Sequence, residues 1–319
     1  MRAFSGASLV LAAILTLSSA TGCTYLGQVQ AMRSFKQANQ AYQAQDYKTA
    51  ATLYEDALAR DPNLNQAYFF LGNSYDNMYR SSRRGEAEND ELLVRATQAY
   101  ETAAERLVDA PEPDNRKLGI LALQYLSAVF GPDKLNDPAR AEPVVQRLIT
   151  IEPTEVSNYI VLARLYEDAA VYDEAEQVLI WAKERRPDDP NVYMQLASFY
   201  NRQGDFPKTI DALQQRAARE PDNPEAFFTI STYFWDNASK NYRLRDEEKM
   251  EQVKLGLTAV DRALEIRPEY MEALVYKGLL LRVQATLERE YPRQQALIKE
   301  AEALRDRAEE IRKKRTAGA

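Results

Sequence analysis

The 319-residue chain contains no histidine. The side chain that most often serves as general base and as zinc ligand is therefore missing. It contains one cysteine, Cys23. That excludes an intramolecular disulfide and a cysteine-cluster metal site. There is no Gly-rich phosphate loop, no G-x-S-x-G elbow and no calcium-binding loop. No catalytic residue, metal or cofactor is expected. The formal net charge is −7, and losing residues 1–22 would remove Arg2 and leave −8. An acidic balance argues against nucleic acid, whose phosphates require Lys and Arg clusters. The carboxylate pairs Glu247-Glu248 and Glu309-Glu310 stand beside Lys and Arg, as on solvated helix faces. The run Arg312-Lys313-Lys314-Arg315 suits a helix C-terminus, where cations favour the macrodipole.

What is abundant favours helix. Ala, Leu, Glu, Gln and Arg dominate, while Gly (11) and Pro (14) are sparse and fall at intervals. The favoured residues lose little rotamer freedom in a helix. The length exceeds what one ordinary globular core needs, so several domains or a repeat array are expected.

The N-terminus reads as an address. Arg2 is a short positive region, and Leu9 to Leu17 is an apolar stretch too short to span a bilayer. Ala20-Thr21-Gly22-Cys23 follows. It resembles the lipobox of bacterial lipoproteins, with Ala20 where leucine is usual. The resemblance implies that residues 1–22 are a signal peptide and that Cys23 is acylated and becomes the new N-terminus. Residues 23–30 would then be a short lipidated linker. Several acyl chains on one residue give stable anchoring. Thr24 is not Asp, which by the enterobacterial sorting rule points to the outer membrane, with the protein facing the periplasm. The alternative is an ordinary signal peptide with a stray cysteine.

The rest of the chain repeats. Aligning Asp46-Tyr47 with Asp205-Phe206 exposes a 34-residue unit. Residues 156–189 carry Tyr159, Leu162, Ala163, Tyr166, Tyr172, Ala175, Ala182 and Pro187. Residues 190–223 carry Tyr193, Leu196, Ala197, Tyr200, Gly204, Phe206 and Pro221 at the same spacings. Tyr47, Ala50, Tyr54, Ala57 and Pro62 fit the second half of the first copy. This pattern resembles the tetratricopeptide-repeat family. The resemblance implies an all-α, right-handed solenoid of about seven helical hairpins over residues 31–315.

Packing explains the pattern. The two helices of a hairpin approach closely only where both carry a small residue. On the first helix that position holds Ala38, Gly72, Ala122, Ala163, Ala197, Ser231 and Gly278. On the second it holds Ala50, Ala96, Ala141, Ala175, Thr209 and Gly256. Bulky Tyr, Phe and Leu fill the layers between. The closing proline cannot continue its helix and turns the chain into the next unit. Insertions interrupt the period near 80–91 (about 12 extra residues), 131–138 and 238–249. Gly131-Pro132 ends one helix and Asp137-Pro138 starts the next. Arg216 stands where other units carry alanine. Either the register shifts there or the arginine leaves the interface.

The resemblance implies ligands on the concave surface lined by the first helices. Register places there Asn39, Tyr42, Phe69, Asn73, Arg164, Glu167, Met194, Gln195, Ser198, Phe228, Thr232 and Trp235. Exposed aromatics flanked by polar residues suit a peptide groove. For Phe228 and Trp235 the alternative is packing on the adjacent insertion, which starts right after Trp235. The carboxylate clamp of chaperone-tail relatives is not expected. Asn39 and Arg116 match two of its five positions, but Phe35, Phe70 and Ile120 replace the others. The sequence thus points to a membrane-anchored scaffold of the bacterial cell envelope that binds other envelope proteins or peptides. The alternatives are an envelope enzyme accessory or a small-molecule or glycan-binding protein, and self-association through the groove or the last helix.

Overall fold

The computed structural model describes residues 26–317. The signal-peptide stretch and Cys23 lie outside the described residues. Among those residues every regular element is helical. They are α1 (26–43), α2 (Tyr47–Arg60), α3 (Asn65–Met78), α4 (Ala87–Leu107), α5 (Pro113–Phe130), α6 (Pro138–Ile151) and α7 (Val156–Asp168). There follow α8 (Tyr172–Arg185), α9 (Pro190–Arg202), α10 (Phe206–Arg219), α11 (Pro224–Lys240), α12 (Asp246–Ile266), α13 (Met271–Leu287) and α14 (Tyr291–Ala317). Odd-numbered helices are the first of each hairpin and even-numbered helices the second.

The turn residues set these bounds. Asp46, Asp137 and Asp205 accept hydrogen bonds from the backbone N–H of Thr49, Arg140 and Lys208 at 3.0–3.2 Å. Asp189 and Asn223 cap α9 and α11 in the same way, through Asn191 and Glu225. Each satisfies a donor that the helix leaves unpaired. Proline sits in the first turn of α5, α6, α9, α10 and α11, where its missing N–H costs nothing.

The small-residue positions are buried throughout. Ala38, Ala50, Ala96, Ala122, Ala175, Ala197, Thr209 and Ser231 have no accessible surface. At Gly72 a Cβ would sit 2.9 Å from the Tyr100 ring, and at Gly256 it would meet Leu280 at 2.9 Å. Arg216 keeps its register. Its side chain is 14% exposed, pairs with Glu220 at 2.8 Å and reaches Met194 Sδ at 3.5 Å. Ala217 takes the buried place beside it.

The chain divides into two compact units, with the division inside α7. In the first, α1 to α6 and the start of α7 enclose a core rich in rings, including Tyr54, Phe69, Tyr75, Tyr100 and Phe130. In the second, Val253, Val260, Tyr270 and Leu280 form one cluster and Leu274, Ala308 and Ile311 another. The insertions are partly helical. That near 80–91 holds a short 3-10 turn (Ser81–Arg83) and the first turn of a lengthened α4. That near 238–249 is mostly extension of α11 and α12 around a turn at 241–245. The segment 131–138 is a turn between Gly131 and the cap Asp137.

Candidate functional site

In the first unit a polar cleft of about 350 Å³ opens among Tyr42 of α1, Tyr47 of α2, Asn73, Asp76 and Asn77 of α3, Tyr125 of α5 and Lys134. Asn73 is its hub and is 4% exposed. Its Oδ1 accepts from the Tyr42 hydroxyl at 2.7 Å and from Asn77 Nδ2 at 2.8 Å, and its Nδ2 donates to the Tyr100 hydroxyl at 3.2 Å. Beside it Asp76, with a side chain 7% exposed, pairs with Lys134 Nζ at 2.5 Å. Burial holds the Tyr42 and Tyr100 phenols above their usual range, so both stay protonated well into the alkaline range.

Two insertions build the wall of this cleft. Arg84 donates to the carbonyls of Pro132 and Lys134 at 3.1 and 2.8 Å. That bond ties the 80–91 segment to the 131–138 segment and holds Lys134 over Asp76. Tyr125 stacks on Tyr100 with centroids 5.7 Å apart, yet its own ring remains partly open to solvent.

In the second unit α9, α11 and α13 supply a smaller cleft, about 260 Å³, lined by Asn201, Thr232, Tyr233, Trp235, Asp236 and Tyr276. Trp235 meets Tyr276 edge to face at 5.3 Å. Phe228 meets Tyr276 at 5.2 Å and Tyr270 at 5.1 Å. Trp235 therefore packs on α13, and Lys240 of the insertion that follows also lies 5.8 Å from its ring. A separate apolar groove of about 770 Å³ lies between α10 and α12, floored by Phe227, Ile230 and Phe234 of α11. The small Ala217 and Ala218 of α10 leave that space open.

The residues expected on the inner face have different surroundings. Tyr42 and Asn73 meet in the polar cleft, and Thr232 and Trp235 meet in the second. Asn39 accepts from the Tyr54 hydroxyl at 2.6 Å. Phe69 is 5% exposed among Phe70, Tyr100 and Tyr125. Arg164 is exposed. Glu167 is held by Arg202 through two bonds of 2.7 Å. Met194 contacts Arg216, and Gln195 reaches Asn191 at 3.4 Å. Ser198 is half-buried. Sequence reading missed Asp76, Tyr125, Lys134, Asn201, Asp236 and Tyr276. Tyr276 carried a signal, since it is an aromatic on α13 six residues beyond Tyr270. Lys134 carried none, because an insertion has no repeat position.

Among the described residues no group of three or more His, Cys, Asp or Glu is placed to hold a metal ion, and no helix is long and apolar enough to cross a membrane. Glu309 and Glu310 pair with Lys313 and Lys314 on the surface of α14.

The Tetratricopeptide repeat family model matches residues 35–77 and 160–224, which cover α1 to α3 and α7 to α10 in the main. Over those residues the chain carries tetratricopeptide repeats. The C-terminal part of a TPR repeat-containing protein from Cytophaga hutchinsonii superposes with a TM-score of 0.55 at 16% identity, covering 87% of this chain and 98% of that one. A tetratricopeptide repeat protein from Parabacteroides merdae gives 0.45 at 14% identity, over 88% and 97%. YrrB, described as a TPR protein with an unusual peptide-binding site, gives 0.40 at 18% identity, over 62% and 91%. At 16% identity the likeness to the Cytophaga hutchinsonii protein concerns the fold alone. No curated protein sequence matches the chain.

Proposed function

We propose that this protein is a non-enzymatic scaffold of the bacterial cell envelope that captures partner proteins or peptides on the inner faces of its hairpins. The observation that carries the reading is the cleft around Asn73. It presents fixed hydroxyl, amide and charged groups beside the open ring of Tyr125. A rigid aromatic flanked by oriented polar groups is what a protein-binding hot spot requires. The repeat architecture supports it, because its first helices hold Tyr42, Asn73, Asp76 and Tyr125 in register. Ala20-Thr21-Gly22-Cys23 supports anchoring by lipid at Cys23, and Thr24 supports the outer membrane as its place.

The test is site-specific photocrosslinking in membranes of the native host. A benzophenone amino acid replaces Tyr125 or Tyr276 on the inner helices, and Val94 or Trp181 on the second helices serve as exposed controls. Protein adducts at the inner positions and not at the controls support the scaffold. Adducts at neither, or equally at all four, overturn it. Intact-mass analysis of the extracted chain tests the anchor. A chain starting at Cys23 with added acyl mass is expected, and an unmodified Cys23 overturns that part.

A second reading, a small polar ligand in the cleft, is favoured by its volume, which falls in the range of ligand pockets. It predicts no protein adduct at Tyr125.

A further inference from the structure

We propose that the corner formed by Trp235, Tyr276 and Asp236 in the second unit is a binding site for a cationic group. The group is the ammonium or guanidinium of a partner protein's basic side chain, as the chain's own Lys240 ammonium at Trp235 suggests. The proposal deepens the inner-face reading and rests on it for where a partner lies. The two rings stand at 80° with centroids 5.3 Å apart, so their faces meet at nearly a right angle. Aromatic faces carry negative potential and attract a cation held within about 6 Å of the centroid. Asp236 follows Trp235 directly on α11 and lines the same cleft, adding a full negative charge.

The chain already places a cation there. Lys240 Nζ sits 5.8 Å from the Trp235 centroid and forms an ion pair with Asp236. Its side chain is 68% exposed, so little holds it apart from these two contacts, and an incoming cation can displace it. Two further cations on these helices are paired. Arg202 is bound by Glu167 through two hydrogen bonds, and Lys277 pairs with Asp261 at 2.8 Å. The Arg202 charge still reaches Tyr233, which lines the same cleft. The rings are also held in place, because Phe228 packs on both Tyr276 and Tyr270. Packing alone explains Phe228. It does not explain why Trp235 lines about 260 Å³ of open space together with Thr232, Asp236 and Asn201.

The chain has two tryptophans, so Trp181→Phe leaves Trp235 as the sole indole reporter. The full-length Trp181→Phe chain is titrated with choline, with N-acetyl-lysine methylamide and with 3,3-dimethyl-1-butanol, the uncharged isostere of choline. Saturable change in Trp235 emission is expected with the cations, at least tenfold weaker with the alcohol. Asp236→Asn should weaken cation binding about tenfold. Lys240→Ala should strengthen it threefold or more, because the internal competitor is gone. A purely structural Lys240 would leave affinity unchanged. An equal response to the uncharged isostere, or no saturable response even with Lys240→Ala, overturns the site. Tighter binding of choline than of the lysine amide would point to a choline headgroup and overturn the basic side chain as occupant. Crosslinking at Tyr125 does not depend on this corner, so failure here leaves the scaffold reading to be judged separately.

Discussion

The guanidinium of Arg219 lies 3.9 Å over the ring of Tyr193, and its Nε donates to the carbonyl of Pro187. The Tyr193 hydroxyl donates to the same carbonyl at 2.7 Å. Thus the end of α10 is tied back to the turn before α9. The arrangement recurs. Arg106 lies 5.0 Å over Tyr68 and donates to the Pro62 carbonyl. Arg307 donates to Pro268, and Tyr159 to Pro153.

Replacing Arg219 should therefore weaken its hairpin modestly. The contact is solvent-exposed, so its cation–π part is worth about 0.5–1 kcal/mol, and Pro187 keeps the bond from Tyr193. Arg219→Ala should lose about 1–2 kcal/mol in a urea titration, with Arg219→Lys falling between the variant and the parent. No change in midpoint would mean the contact is worth nothing in solution.

The Asp76–Lys134 pair should be more sensitive, because the Asp76 side chain is nearly buried. Lys134→Met alone leaves that carboxylate without its cation. A loss of about 2–3 kcal/mol is expected, somewhat below a fully buried pair because Lys134 is a quarter exposed. Combining it with Asp76→Asn should recover most of the loss. Denaturant midpoints of the two single variants and the double variant give the coupling directly.

Gly119 and Gly85 should respond to alanine for different reasons. At Gly119 a Cβ would lie 2.4 Å from Val108 N and 2.6 Å from the Leu107 carbonyl carbon. Backbone cannot yield as a side chain can, so α5 must move off the turn after α4. Gly119→Ala should lose about 3 kcal/mol or more. Gly85 has open space around it but a φ of +93°, so Gly85→Ala should lose only about 1–2 kcal/mol through backbone strain. Thermal melts of the two variants rank them.

Two hairpin turns have room for improvement. Gln45, Ala170 and Gly204 occupy equivalent turn positions with φ of 61°, 59° and 74°. Only the last is glycine. Ala170→Gly and Gln45→Gly each relieve a left-handed side chain, offset in part by added freedom of the unfolded chain. Each should raise stability by about 0.5–1 kcal/mol, read as a higher melting temperature. A lower value would show that the β-carbons are held by contacts worth more than the strain.

The repeat was legible because its signal is periodic and its cause is steric. Every small residue read at a crossing position proved buried, and Gly131-Pro132 and Asp137-Pro138 mark the ends they were expected to mark. Arg216 left two readings open, and a methionine across the hairpin, together with Glu220, accommodates it without a shift. The clefts were legible only in part. Tyr42 and Asn73, or Thr232 and Trp235, follow from helix register alone. Asp76 and Lys134 meet across 58 residues through an insertion, and no period relates them. Phe69 shares the register of an inner-face residue, but neighbouring rings enclose it.

The proline–arginine ties also act as a ruler. Thirty-two residues separate Pro187 from Arg219, 44 separate Pro62 from Arg106 and 39 separate Pro268 from Arg307. The tie forms in all three. The twelve residues by which the Pro62 pair exceeds the shortest match the insertion near 80–91. Extra chain has thus entered at the tip of the hairpin, the end opposite the proline. One margin of each of these three repeats is clocked by a fixed contact, and the other is free to grow. A fluorophore loop or epitope spliced into 241–245 would sit at such a tip and leave the spacing of the ties unchanged.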